Sequence, residues 1–228
     1  MTVHASRIHV SGEATPLPLE VTARRGGLYR AFFKRFIDVA LVVASLPFIL
    51  PFLAIVALMI SAKDGHSPIF KQERVGLDGK RFKIWKFRTM VPDAEAMLTQ
   101  YLDSNEDARQ EWESKQKLNY DPRITSVGKA LRRSSIDELP QLWNVLRGDM
   151  SLVGPRPMMP SQQALYPGHG YYRLRPGLTG SWQVTERSQS CFADRAKYDD
   201  AYETDLSFTL DATIVAKTVG VVLRGTGI

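Results

Sequence analysis

The sequence predicts an α+β protein, mostly helical: an N-terminal re-entrant membrane helix, a short β-hairpin, and a compact cytoplasmic helical domain with interfacial amphipathic helices. Three observations predict it. Residues 36–62 form a long apolar run with basic flanks, residues 68–90 carry hairpin spacing around Asp78-Gly79, and apolar residues recur at helical spacing through most of the remaining chain. A chain of 228 residues can bury one sizeable core and carry an appendage. Its expected division is a flexible tail at 1–28, the basic-flanked membrane helix at 29–63 and the cytoplasmic domain at 64–228.

Residues 1–28 mix Thr, Ser, Gly and Pro without a sustained apolar period, which reads as a disordered tail. No apolar core follows Met1 closely enough for a signal peptide. In the apolar run no charge appears between Asp38 and Lys63, a length that suits a bilayer better than the core of a soluble protein. Pro47 and Pro51 interrupt it, and each removes a backbone donor and bends a helix. Split at Pro51, the halves measure about 20 Å each, too short to cross a hydrocarbon core of about 30 Å. Arg24, Arg25, Arg30, Lys34 and Arg35 precede the run, and Lys63, Lys71, Arg74, Lys80, Arg81, Lys83, Lys86 and Arg88 follow it. Basic flanks prefer the cytoplasmic face, so a helix-break-helix that enters and returns on that face, with a basic collar, satisfies both.

Pro68–Val75 and Arg81–Arg88 flank the Asp78-Gly79 turn as the two strands of the hairpin. Basic and aromatic residues interleave here, a pattern that also suits nucleic acid. The imperfect alternation and the neighbouring apolar run favour headgroups or substrate phosphates instead, and no nucleic-acid partner is expected. A net charge of +6 calls for an anionic partner of one of these kinds. The single cysteine, Cys191, excludes an intramolecular disulfide.

Between Asp93 and Glu113 stand seven acids and one base, with Met97, Leu98, Tyr101 and Leu102 at helical spacing, which predicts one or two surface helices. A short helix follows from Val127 to Arg133, and Leu142 to Leu146 form another apolar helical face ending at Gly148. Pro155 and Pro157 fix a loop around Arg156. Residues 161–174 read as helical and then irregular, Ser181–Val184 as a short strand, and 192–204 as a charged helix. Leu206, Leu210, Ile214, Val221 and Val222 set against Lys217 and Arg224 make an amphipathic pattern that fits either a core-facing or an interfacial helix.

At the centre of these elements is an adjacent carboxylate pair, Asp137-Glu138, just after Arg132-Arg133. Ser135-x-x-Glu138 matches a capping box, and acids in a first turn complement the helix dipole. With Ser135 as the cap, the donor missing from Pro140 falls beyond the orphan positions; with Asp137 as the cap it falls within them. Capping thus accounts for one acid or the other. On local sequence alone it remains the first explanation.

From Lys34 onward the chain resembles the monotopic phosphoglycosyl transferases, the bacterial sugar transferase family. The resemblance rests on Lys34-Arg35-Phe36-Ile37-Asp38, on Lys86-Phe87-Arg88-Thr89-Met90, and on Leu131 through Leu142 around Asp137-Glu138. Gly148-Asp149-Met150-Ser151, Val153-Gly154-Pro155-Arg156-Pro157 and Arg175-Pro176-Gly177-Leu178-Thr179-Gly180 complete it, in the family's order. Leu50-Pro51 stands where the family usually has Ser-Pro, and Glu186-Arg187-Ser188 where it usually has Gly-Arg-Asn.

The resemblance implies transfer of a sugar 1-phosphate, galactose or glucose, from a UDP sugar to undecaprenyl phosphate at the cytoplasmic face of a bacterial inner membrane. It implies that Asp137 attacks phosphorus to form a covalent sugar-phosphoryl enzyme with release of UMP, and that Glu138 binds Mg²⁺. By the same resemblance Arg132 is a phosphate-binding residue, Arg156 a second donor and Asp199 a further acid of the substrate site. The acidic segment at 93–120 resembles members that begin exopolysaccharide synthesis. UDP sugar, undecaprenyl phosphate and membrane lipids are the implied partners; a homo-oligomer or a polysaccharide assembly complex is left open.

Overall fold

The apolar run folds as one helix, α1 (Lys34–Asp64), entered through a π-helical turn at Tyr29–Phe33 and ended by Gly65 in the left-handed conformation. The structure, a computed structural model, describes residues 27–185 and 191–224. The expected tail up to residue 26, with Arg24 and Arg25, and the Glu186-Arg187-Ser188 segment lie outside the described residues.

The expected interruption at the prolines does not end the helix, which continues through both. Each proline withholds only the N–H that would meet the carbonyl four residues earlier. A packed stripe supports the helix on either side of that gap. Val42, Leu46, Ile49, Leu53, Val56 and Ile60, spaced alternately by three and four, all lie against the domain. The opposite side exposes Phe36, Leu41, Val43, Phe48, Leu50, Phe52, Ile55, Leu58 and Met59. An apolar surface of this extent marks contact with a membrane or another protein.

At the root of α1, Arg30, Lys34 and Arg35 are held by the domain. Arg30 pairs with Glu203 at 2.7 Å, Lys34 with Asp211 at 2.6 Å, and Arg35 donates to the carbonyls of Val145 and Leu146. Asp38, one turn further, accepts from the Ser151 hydroxyl and the Leu152 N–H. Sequence shows the cations but not these distant acceptors.

The hairpin is present as antiparallel strands β1 (Ile69–Val75) and β2 (Arg81–Phe87), joined through Asp78 in the left-handed region (φ 56°). The acidic segment forms two helices, α2 (Ala94–Ser104) and α3 (Glu106–Lys115), with the Asn105 side chain capping the second through Ala108 N. Helix α4 (Ser126–Arg133) begins at Thr125, whose hydroxyl accepts from Gly128 N. Gly128 is required here, because a Cβ would collide with the Thr89 carbonyl. A 3₁₀ segment (Ile136–Gln141) and α5 (Leu142–Arg147) follow, and Gly148 terminates α5 with positive φ.

The second half holds a feature absent from the expectation. β3 (Ser151–Val153) pairs in parallel with β4 (Gly177–Thr179), and Ser181–Val184, expected as a strand, lies in the helix α6 (Ser181–Thr185). Gly154 and Gly177 come so close that a Cβ on Gly177 would strike the Gly154 N–H. The strand therefore forms ahead of the expected position, where the glycine admits it. Short 3₁₀ segments cover Pro160–Leu165 and Gly170–Arg173. Helices α7 (Arg195–Asp205) and α8 (Phe208–Leu223) close the described chain. Leu210 and Ile214 of α8 face the core, while Phe208, Val215, Val219, Val222 and Leu223 are exposed.

Candidate active site

Two frames hold the carboxylate pair. Strand β2 is tied to α5 by one side chain: Asn144, fully buried, accepts from Trp85 N and donates to the Lys83 carbonyl. This fixes Lys86 relative to the 3₁₀ segment between α4 and α5. The other frame is the start of that segment. Ser135 takes the left-handed conformation (φ 57°) and its side chain caps nothing. The capping box allowed by the sequence is therefore not formed, and neither acid is explained as a helix cap.

Asp137 is buried, and Glu138 is partly so. Lys86 Nζ meets Glu138 Oε1 at 2.6 Å, and Arg156 Nη2 approaches the same oxygen at 3.5 Å. Arg132 donates from Nε to Thr89 Oγ1 at 2.9 Å and is one of the charges acting on Asp137. Burial pushes the Asp137 carboxyl above its ordinary range, and the neighbouring Glu138 charge adds to this. Lys86, Arg132 and Arg156 pull it back toward the ionised form. Burial conversely depresses the Lys86 ammonium, which the Glu138 and Asp137 charges support.

Arg156 is set by its own backbone. Buried Arg195 donates to the Arg156 carbonyl at 2.6 Å, and Arg74 donates to the Pro157 carbonyl at 3.2 Å. Arg195 also lies over the rings of Trp182 and Phe192. The turn is anchored further where Met158 O accepts from Val75 N. Burial and the nearby Arg156 charge lower the Arg74 guanidinium to about 10.

A pocket opens between these frames. It is lined by Arg74, Ile84, Lys86, Glu138, Gln141, Arg156, Pro157, Gly177, Leu178 and Gln183. Three cations face one carboxylate on its wall, so a polyanion would be drawn in. The structure thus brings together Asp137, Glu138, Arg132 and Arg156. It places Asp199 elsewhere: buried beneath the turn, accepting from the Tyr166 hydroxyl at 2.8 Å, near Arg195. Burial pushes Asp199 up to about 7, against the opposing Arg195 charge. Tyr202 donates to Asp211 and to Val153 O, away from the pocket.

Lys86, Arg74 and Gln141 are pocket residues that sequence reading did not single out as such. Alternation was the available signal for the first, since Ile84 and Lys86 share one face of β2. No local pattern marks Arg74. Among the described residues, no group of three or more His, Cys, Asp or Glu side chains converges as a metal cage. Mg²⁺ is commonly held by one or two carboxylates together with substrate phosphates. Glu138, the carboxylate on the wall of the pocket, is the residue that would hold an ion in that manner.

The family profile described as bacterial sugar transferase matches residues 29–225, which take in every group just described. The chain belongs to the bacterial sugar transferase family. Among its sugar transferase relatives, the UDP-galactose-lipid carrier transferase of Erwinia amylovora is 43% identical over 198 residues, covering 86% of this chain and 41% of that one. The exopolysaccharide production protein ExoY of Sinorhizobium fredii is 40% identical over 196 residues, 85% of this chain and 87% of that protein. The undecaprenyl-phosphate galactose phosphotransferase of Salmonella typhimurium is 40% identical over 198 residues, 86% and 41% respectively. The chain therefore spans nearly all of ExoY and less than half of the other two.

Proposed function

We propose that this protein is a phosphoglycosyl transferase that moves a sugar 1-phosphate from a UDP sugar to undecaprenyl phosphate, as the first membrane step of exopolysaccharide or related glycan synthesis. The observation that carries the proposal is the buried Asp137 beside Glu138, surrounded by Lys86, Arg132 and Arg156. The names of the Erwinia and Salmonella relatives favour galactose as the sugar, with glucose as the alternative.

In the proposed reaction an Asp137 carboxylate oxygen attacks the phosphorus that bears the sugar. The bond from that phosphorus to the bridging oxygen breaks, and UMP leaves with the electron pair. A phosphate oxygen of undecaprenyl phosphate then attacks the same phosphorus, and the Asp137–phosphorus bond breaks to restore the carboxylate. Lys86 and Arg156 bind the diphosphate, and Arg132 helps keep Asp137 ionised against its burial. Glu138 would hold Mg²⁺, which would supply further charge neutralisation at the diphosphate.

The full chain in detergent, given UDP-galactose, Mg²⁺ and undecaprenyl phosphate, is expected to release UMP, and omission of the metal or the lipid should stop turnover. Release of UDP instead of UMP, or no reaction with UDP-galactose or UDP-glucose, would reject this reading.

On the same reading α1 lies at the inner membrane without crossing it, its exposed apolar face toward lipid and the site on the cytoplasmic face. Support comes from its two ends, which both dock on one domain: Lys34 and Asp38 near one end, Val56 and Ile60 near the other. Cysteine labels before Tyr29 and after Leu223 are expected to react from the cytoplasmic side alike. Reaction from opposite sides would show that α1 crosses the membrane and overturn this placement.

A further inference from the structure

Gln141 ends the 3₁₀ segment and lines the pocket, yet it is only 2% exposed. Among the described residues its amide nitrogen has no hydrogen-bond partner. A buried donor left unmatched is costly, and such groups in native proteins generally meet a ligand or an ordered water. On a 3₁₀ helix, residues three apart lie one above the other, so Gln141 stands on the same face as Glu138. Both line the pocket. Ile84, Pro157 and Leu178 contribute apolar wall to it, whereas Lys86 and Arg156 gather around the Glu138 carboxylate.

The lining offers two chemistries. The cations suit the diphosphate. A neutral donor suits an uncharged oxygen close to the reacting phosphorus. In the proposed reaction the group that stays attached to that phosphorus, next to Asp137 and Glu138, is the sugar; the nucleoside leaves. We propose that Gln141 binds the transferred hexose by donating from its side-chain amide to one hydroxyl oxygen of the sugar. This rests on the phosphoglycosyl transfer reading.

The test pairs Gln141→Met, close in length and without a side-chain donor, with UDP-galactose analogues that each lack one ring hydroxyl. In the unaltered protein, one analogue is expected to lose about tenfold to hundredfold in kcat/KM, because without its hydroxyl the buried amide stays unpaired in the complex. In Gln141→Met that analogue should be no worse than UDP-galactose itself, while UMP binding stays unchanged. The thermal midpoint of the variant should not fall, since the substitution removes an unmatched buried donor.

Weakened UMP binding in the variant would move the contact to the nucleotide and overturn the proposal. Unchanged kinetics with a lowered midpoint would overturn it too, by assigning the amide to a structural water. Were the variant not to fold, the analogue series on the unaltered protein would still decide, and no sensitivity to any single hydroxyl would refute it. Failure of the unaltered protein to release UMP from either UDP sugar is a different outcome and strikes the parent reading instead.

Discussion

Asp137→Asn is expected to abolish UMP release, by at least about 10³–10⁴-fold, the scale seen when a catalytic nucleophile is removed. The amide is nearly the same shape but lacks the charge that attacks phosphorus. The structure adds a second, opposite expectation. Burial raises Asp137 above the usual carboxylate range, so the ionised group is held at a cost to the fold. The neutral amide would carry no such cost, and the variant should unfold at the same temperature as the parent or higher. Loss of turnover should come with loss of labelled sugar phosphate covalently retained by the protein. Mass spectrometry must first show that the amide has not deamidated back to the acid. Turnover within about tenfold of the parent would remove Asp137 from the nucleophile role.

The largest effect on stability is expected at Asp211, far from the pocket. Its carboxylate accepts from the Tyr29 hydroxyl, Lys34 Nζ and the Tyr202 hydroxyl, each at 2.6 Å. Asp211→Ala would leave the largely buried Lys34 ammonium without its counter-charge and two phenols without their acceptor. Removing one partner of a buried ion pair costs about 3–5 kcal/mol. Chemical denaturation in detergent would measure it. The turn at Tyr29–Phe33 should become more sensitive to protease, because its tie to α8 is lost. A destabilisation below about 1 kcal/mol would place these three contacts in the class of weak surface pairs.

How far the sequence could be read depended on whether each signal was local. Asp78-Gly79 announced the hairpin because a tight turn is written in adjacent residues. The acidic stretch resolved into two helices at Asn105, a residue whose side chain caps by itself. The parallel pairing of Ser151–Val153 with Gly177–Thr179 has no such marker, because each strand is three residues long and its partner is distant. Ser181–Val184 looked like a strand for want of that knowledge. At the site, Asp137, Glu138, Arg132 and Arg156 were visible through the family's motifs, and the structure gathers them. Asp199 carried the same kind of motif signal but sits beneath the turn that presents Arg156. Its chemistry is that of a buried acid beside an arginine, which sequence cannot distinguish from a ligand-facing one. Lys34 and Arg35 were readable as cations, yet their partners lie more than a hundred positions away.

The latch made by Asn144 bears on self-association. A two-stranded ribbon left alone has open edges, and an open edge invites a strand from another chain. Asn144 fills the backbone positions of Lys83 and Trp85 along one edge of β2. On the far side, Val75 gives its N–H to Met158. Replacing buried Asn144 with an apolar residue would leave the Trp85 N–H and the Lys83 carbonyl without a partner. The amide that positions Lys86 therefore also closes this edge of the ribbon to a further strand.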